Sequence, residues 1–315
     1  MSPANLPTNP LPSWREGITK KSIIDFVTSV TTEDNPNYIP PLDRIAVFDN
    51  DGTLWSEKPF YSQLFFALDR VKMLADAHPD WQDQQPFKAI LEDDINGFLS
   101  GGMKSVIEVV EATHSNTTTD EFQEVVTKWI GSARHPSTKR LYTEMIYQPM
   151  LELLEYLQSK GFRNYIVSGG GIEFMRAWVE DVYQIPPEQV IGSSIETKYE
   201  IRPEGPVLLR TPKIDFVDDH AGKPVGIQKF IGRRPILAMG NSDGDLQMFQ
   251  WTAAGEGPRF IGLLHHTDEK REWAYDRESL VGKLDQALDE ANQKGWTVID
   301  MQHDWQVVFA WEDQN

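Results

Sequence analysis

Two carboxylates stand two residues apart in Asp49-Asn50-Asp51-Gly52-Thr53, directly after the apolar run Ile45-Ala46-Val47-Phe48. A carboxylate at the tip of a buried run needs a partner, a metal or a chemical task. One task fits both. A carboxylate oxygen can attack phosphorus, so that one hard hydrolysis becomes two easier steps. Asp49, the first residue past the run, is the better placed nucleophile. Asp51 would protonate the leaving oxygen and then activate water. Gly52 permits a tight turn. The Thr53 hydroxyl is placed to steady Asp51 and counts among the candidate phosphate-binding groups. Asp-Gly pairs also end ordinary strands, but the whole string Phe48-Asp49-Asn50-Asp51-Gly52-Thr53-Leu54 is more than such a turn requires.

Three more segments carry matching chemistry. Ser168-Gly169-Gly170-Gly171 offers a hydroxyl and free backbone N–H groups, and its glycines let an anion approach closely. Ser168, Gly169 and Gly170 are the candidate phosphate-binding residues there. Lys223, in Gly222-Lys223-Pro224, can neutralise phosphate and nucleophile together; Lys213 and Lys229 are its rivals. Gly240-Asn241-Ser242-Asp243-Gly244-Asp245 is oxygen-rich. Mg²⁺ takes oxygen ligands in octahedral geometry, commonly one or two carboxylates with water and phosphate. The candidate metal ligands are Asp49, Asp51 through its carbonyl, Asn241 and Asp245. Alone, each segment also reads as a flexible turn, a surface lysine or an N-capped helix.

The elements that must position these groups follow one style. Apolar runs at Ile45–Phe48, Tyr165–Val167, Ile236–Met239 and Phe260–Leu264 each end in a polar or glycine-rich turn. Runs of this length suit strands buried on both faces. Helical patterns lie between them, at Met150–Leu157 and Phe174–Val182, and another precedes them at Ile18–Val30. The expected fold is α/β, a Rossmann-like doubly wound parallel sheet. Ligands of such sheets bind outside the carboxyl ends of the strands, where the polar turns fall. The stretch from Glu57 to Gln148 is far longer than one crossover needs. Its helical patterns, Phe60–Leu74, Phe87–Leu99, Val106–Ala112 and Phe122–Ile130, read as an inserted cap. A second insert, Ile195–Ala221, reads as a β-hairpin flap. The expected division is an arm and helix over 1–44, a core over 45–56 and 149–315, and a helical cap over 57–148. The segment to Trp14 reads as a loose arm.

The 315 residues carry a net charge of −18 and no cysteine. That excludes disulfides, thiolate metal sites and cysteine nucleophiles. The acidity disfavours nucleic acid. No apolar run is long enough to span a bilayer. The first residues hold no signal-like core. These features point to a cytoplasmic protein, or to a periplasmic or secreted one whose signal segment has been removed. The expected partner is a small phosphorylated metabolite, and the oligomeric state stays open.

In order and type, Asp49-Asn50-Asp51-Gly52-Thr53, Ser168, Lys223 and Gly240 to Asp245 resemble the haloacid dehalogenase superfamily. The helical insert directly after the first motif resembles its phosphoserine-phosphatase-like branch. The resemblance runs from Ile45 to about His266. It implies a Rossmann-like core, a mobile cap, Mg²⁺ and phosphate-monoester hydrolysis through Asp49, with Ser168 and Lys223 on the phosphoryl oxygens. Asp51 argues against the dehalogenase branch, which acts on carbon. One departure stands out: Asn241 occupies a position where the family usually has Asp. The site loses a charge there, and Asp245 or Asp243 is expected to compensate. Two other classes share part of the pattern. A phospho-receiver domain also combines clustered Asp, Ser or Thr and Lys, but is much shorter. A phosphate-ester binding protein with weak or no turnover is the reading that Asn241 favours. Substrate choice would fall to cap residues near the first motif, with Glu57, Lys58, Tyr61, Arg70, His114, Arg134 and His135 as candidates. Trp55 and Phe60 could line the pocket, and His265-His266 ends a strand near it.

Overall fold

The computed structural model describes residues 9–312. Eight strands form one sheet: β1 Ile45–Phe48, β2 Arg163–Gly171, β3 Val190–Arg202, β4 Gly205–Phe216, β5 Leu237–Gly240, β6 Phe260–Thr267, β7 Ala274–Tyr275 and β8 Thr297–Asp300. The order is β4-β3-β2-β1-β5-β6-β7, with β8 also on β6. Pairing is parallel except for β3–β4 and β6–β7. From β1 the chain builds first toward β2 and β3, and later, beyond β1, toward β5 and β6. The order therefore reverses between β1 and β5, the place where such sheets open a crevice.

Both faces of the sheet are covered. Ala46 and Phe48 join one apolar cluster, while Ile45 and Val47 join another. Alternate residues of β1 thus enter opposite cores, and so the run is apolar throughout. Of the strands that answer to the four apolar runs, β1, β5 and β6 begin and end within a few residues of them. The exception is β2, which carries its pairing on through Ser168–Gly171 with a register shift against β3. Strands β7 and β8 follow no such run.

Between β1 and β2 lie the helices Ser62–Leu74, Phe87–Leu91, Ile95–Ser100, Gly102–His114 and Thr119–Ile130. The pattern over Phe87–Leu99 is two helices rather than one. Asp93 turns to φ +57°, and Asp94 caps the second helix by accepting from the Gly97 amide. Ala67, Val71, Trp81, Phe87, Ile90, Phe98 and Val109 pack in a cluster of their own. Phe122, Val126 and Ile130 instead join the main core. The helical pattern Phe174–Val182 also divides, into Ile172–Arg176 and Val179–Tyr183. The second insert is the antiparallel β3–β4 hairpin.

The segment before the first helix is not a loose arm where it is described. Leu11 and Trp14 are buried. The Trp14 indole donates to the Pro149 carbonyl at 2.9 Å, and the Ser13 hydroxyl to Glu152 at 2.6 Å. Two apolar side chains and a hydrogen-bonded indole outweigh the prolines that suggested an extended tail. Residues 1–8 lie outside the described part. No described helix is long and apolar enough to cross a membrane.

Candidate active site

Register brings the motifs together. Phe48 pairs with Ile166 on β2 and with Met239 on β5, so Asp49 emerges level with the ends of both neighbours. Its amide donates to the Met239 carbonyl at 2.9 Å. The chain then folds back. The Asn50 carbonyl accepts the amides of Thr53 at 3.1 Å and Leu54 at 2.8 Å. Gly52 sits at φ +77°, where a Cβ would meet Asn241 Nδ2 at 2.1 Å and Glu57 Oε1 at 2.5 Å. Only glycine fits that turn.

Lys223, at the start of the helix Gly222–Phe230, is buried and reaches under this turn. Its Nζ donates to Asp49 Oδ1 at 2.6 Å, Asp245 Oδ1 at 2.6 Å and the Val167 carbonyl at 2.9 Å. Burial alone would push the ammonium down, but the charges of Asp245 and Asp49 outweigh it and hold Lys223 above its ordinary range. The Asp49 carboxyl is raised well above the usual carboxylate value, first by burial and then by the charge of Asp245, with Lys223 pulling the other way. Lys229 is exposed at the far end of the same helix, and Lys213 pairs with Glu196 at 3.0 Å.

The other oxygen of Asp245 accepts the amides of Asn241 at 2.9 Å and Ser242 at 3.0 Å. Both its oxygens are therefore occupied, and Asp245 holds Lys223 and the loop. Asp243 is likewise engaged, accepting the amides of Asp285 and Ala287, each at 2.9 Å. Asn241 itself faces the first motif. Its Oδ1 accepts from the Thr53 hydroxyl at 3.1 Å, and its Nδ2 donates to Glu57 Oε1 at 2.8 Å. Tyr275 donates to the same Glu57 oxygen at 2.8 Å. The Glu57 carboxyl is raised well above its usual value, mainly by burial and further by Asp51 and Asp49, with the Tyr275 hydrogen bond opposing.

Asp51 accepts from the Trp55 indole at 2.8 Å. Burial raises its carboxyl, against the Trp55 hydrogen bond. Ser168 is buried, and its hydroxyl accepts the Gly170 amide at 3.1 Å. A Cβ on Gly170 would come within 3.7 Å of Asp51 Oδ2. The glycine loop therefore lies against the second carboxylate. Asp49, Asp51, Thr53, Ser168, Gly170, Lys223, Asn241 and Asp245 thus share one site, and Gly169 adjoins it.

Among the described residues, no three His, Asp or Glu side chains gather closely enough to hold a metal by themselves. Groups that could hold Mg²⁺ are of mixed type, as that ion accepts. They are Asp49, whose Oδ2 accepts no hydrogen bond among the described residues, the amide oxygen of Asn241 and the carbonyl of Asp51.

With these groups placed, comparison with known proteins is direct. A sequence model of haloacid dehalogenase-like hydrolases matches residues 46–250, well over half of the chain. The chain belongs to that family. Its fold is similar to that of a conserved, functionally unknown protein from Anaerococcus prevotii DSM 20548. The TM-score is 0.52 at 16% identity, over 87% of this chain and 88% of the other. A protein of unknown function from Bordetella pertussis Tohama I matches at TM-score 0.52 and 14% identity, over 82% and 98%. No curated protein matches the sequence.

This haloacid dehalogenase-like hydrolase also holds two site residues that its sequence does not advertise, Gln63 and Asp218. Gln63 accepts the Gly171 amide at 2.7 Å and meets His114 Nε2 at 3.2 Å. Burial drives the His114 imidazole down to about 3, with Arg210 and Arg70 adding to the effect. The neutral ring therefore braces Gln63, and Gln63 in turn joins the inserted helices to the glycine loop. Asp218 is buried with neither carboxyl oxygen paired among the described residues. Burial pushes it up to about 7, with Lys223 opposing. His266 supports the turn from below, its Nε2 lying 2.7 Å from the Gly52 carbonyl. Its neighbour His265 faces Asp276 instead, in keeping with strand alternation. Trp55 is buried and stacks on Trp178 at 4.4 Å. Other candidates stand apart. Lys58 donates to Ser279 at 2.5 Å and to Val281 at 3.0 Å. Arg134 donates to the Lys139 carbonyl at 3.0 Å, and His135 meets the Lys58 carbonyl at 2.5 Å. Arg70 lines a separate cavity of about 560 Å³ with Trp81 and Phe87.

Proposed function

We propose that this chain is a Mg²⁺-dependent phosphatase that hydrolyses a small phosphate monoester through an aspartyl-phosphate on Asp49. The observation that carries the reading is the buried Lys223 ammonium bonded to both Asp49 and Asp245. It fixes one oxygen of Asp49 and leaves the other free to act. An ammonium at that point also meets the charge on equatorial phosphoryl oxygens, which this kind of transfer depends on.

The remaining groups take matching roles. Asp51, raised by burial and aimed by Trp55, keeps a proton for the leaving oxygen and later takes one from water. The Ser168 hydroxyl, held in place by the Gly170 amide, orients the phosphoryl group. Asn241, Asp49 and the Asp51 carbonyl would hold Mg²⁺, which when bound supplies Lewis acidity and a template for the phosphoryl group. The inserted helices, tied to the glycine loop through Gln63, are placed to keep bulk water out. The substrate is read as a small phosphorylated metabolite.

A second reading, phosphate-ester binding with little turnover, is favoured by one observation: the amide of Asn241 where the family usually has a carboxylate. Hydrolysis of p-nitrophenyl phosphate separates the two. The phosphatase reading expects turnover that EDTA abolishes and Mg²⁺ restores. Binding of inorganic phosphate without turnover would establish the second reading.

A further inference from the structure

Around the turn at Gly52 stand four carboxylates, those of Asp49, Asp51, Glu57 and Asp245; the Lys223 ammonium bonds Asp49 and Asp245, while the ammonium nearer Glu57, that of Lys58, bonds Ser279 and Val281 instead. Glu57 has the least evident reason to be there. Only 2% of it is exposed, and it makes no ion pair among the described residues. Its bonded partners are neutral: the Asn241 amide and the Tyr275 hydroxyl, both at 2.8 Å on the same oxygen. A Cβ on Gly52 would lie 2.5 Å from that oxygen, and one on Gly282 would lie 1.8 Å from it. Two glycines therefore make room for the carboxylate. A buried carboxylate with no cation bonded to it is costly, and this one is packed against a side chain that faces the Asp49 loop.

Glu57 Oε1 accepts from both of its partners, and a cation bound beside it would favour the ionised, accept-only form that burial opposes in the metal-free chain. Glu57 therefore fixes which end of the Asn241 amide is which: NH₂ toward Glu57, oxygen toward Thr53 and the Asp49 loop. The two residues expected to offset the amide's missing charge do not, since Asp245 serves Lys223 and Asp243 serves the backbone of Asp285 and Ala287. We propose that Glu57 is the positioning residue for Mg²⁺ at Asn241: it presents the amide oxygen to the ion and supplies, through the amide, the negative charge that an amide lacks. This rests on the functional reading above. Partners behind a metal ligand typically change affinity by about 10–100-fold when removed.

The test is calorimetric titration of the full chain with Mg²⁺ alone. Glu57→Gln can keep a hydrogen bond but loses the charge, and should bind Mg²⁺ at least about tenfold more weakly. The exchange Glu57→Gln with Asn241→Asp reverses donor and acceptor, keeps the net charge and should restore affinity to within about threefold of the unaltered chain. A purely structural role for Glu57 would not produce that rescue. Wild-type affinity in Glu57→Gln, or an exchange variant as weak as the single one, overturns the inference. If Glu57→Gln does not fold, the exchange variant decides alone, and a tenfold loss in it is the overturning result. An unaltered chain that binds Mg²⁺ and hydrolyses aryl phosphate while Glu57→Gln binds equally well sinks this inference only. An unaltered chain that neither binds Mg²⁺ nor hydrolyses phosphate removes the functional reading, and this inference with it.

Discussion

Nζ of Lys223 lies 2.6 Å from Oδ1 of Asp49, with their side chains 2% and 10% exposed. An ammonium so enclosed is held by the carboxylates it serves. Removing it leaves Asp49 and Asp245 facing each other in a buried site. Lys223→Ala should therefore lose about 3–5 kcal/mol of stability and at least about 100-fold in kcat. Denaturant unfolding and steady-state turnover read the two effects. A variant as stable as the unaltered chain would show that the pair is not strongly coupled.

Asp51 offers a test through the leaving group. If it donates the proton, Asp51→Asn should cost about 10²–10⁴-fold in kcat/KM, which reads the steps up to loss of the alcohol and not the later hydrolysis common to all substrates, on an alkyl phosphate. On p-nitrophenyl phosphate, whose leaving oxygen needs no proton, the loss should be much smaller. Equal losses on both substrates would move Asp51 out of the acid's role.

Asp218 gives a pH dependence whose sign is fixed. Its carboxyl sits at about 7 in the folded chain against an ordinary 3.8. Folding thus favours the protonated form. Its contribution to stability is whole below about pH 4, falls as pH rises toward 7 and is lost above that. Asp218→Asn cannot ionise. Its stability relative to the unaltered chain should improve by roughly 3–4 kcal/mol between pH 4 and pH 8, in metal-free protein. Urea unfolding at the two pH values measures this, and a difference that does not change with pH contradicts it.

Gly52→Ala places a methyl within 2.1 Å of Asn241 Nδ2 at a φ of +77°. The turn must shift, and Asn241 and Glu57 with it. The expected result is a loss of more than about 1 kcal/mol and a fall in activity out of proportion to it. Thermal melting beside a turnover assay checks both.

The sheet and the meeting of the four motifs were legible because the strands are buried on both faces and each motif follows one of them. Asp49, Ser168, Lys223 and Asn241 could be placed at strand or helix ends from their neighbours alone. The helix divisions at Asp93 and near Trp178 were not legible. Continuous apolar spacing cannot reveal a single residue at positive φ or a two-residue break. Gln63 was hidden for another reason: its role comes from contacts with residues about 50 and 100 positions away, one of them His114, which the sequence offers as a substrate contact and which braces Gln63 instead. Glu57 was visible as a polar residue near the first motif and was read as a substrate contact. Only the fold shows that it turns back onto Asn241. Asp218 carried no signal beyond an acidic pair, Asp218-Asp219, that most sequences would place on a surface.

The central claim is that Asp49 takes the phosphoryl group. The direct measurement is rapid acid quench during turnover of a phosphate monoester with Mg²⁺, followed by peptide mass analysis. The account predicts a phosphoryl group on the peptide spanning Ile45 to Leu54, carried by Asp49 and absent from Asp49→Asn, which folds normally but does not turn over. A phosphoryl group on another residue, or undiminished hydrolysis by Asp49→Asn, would contradict it.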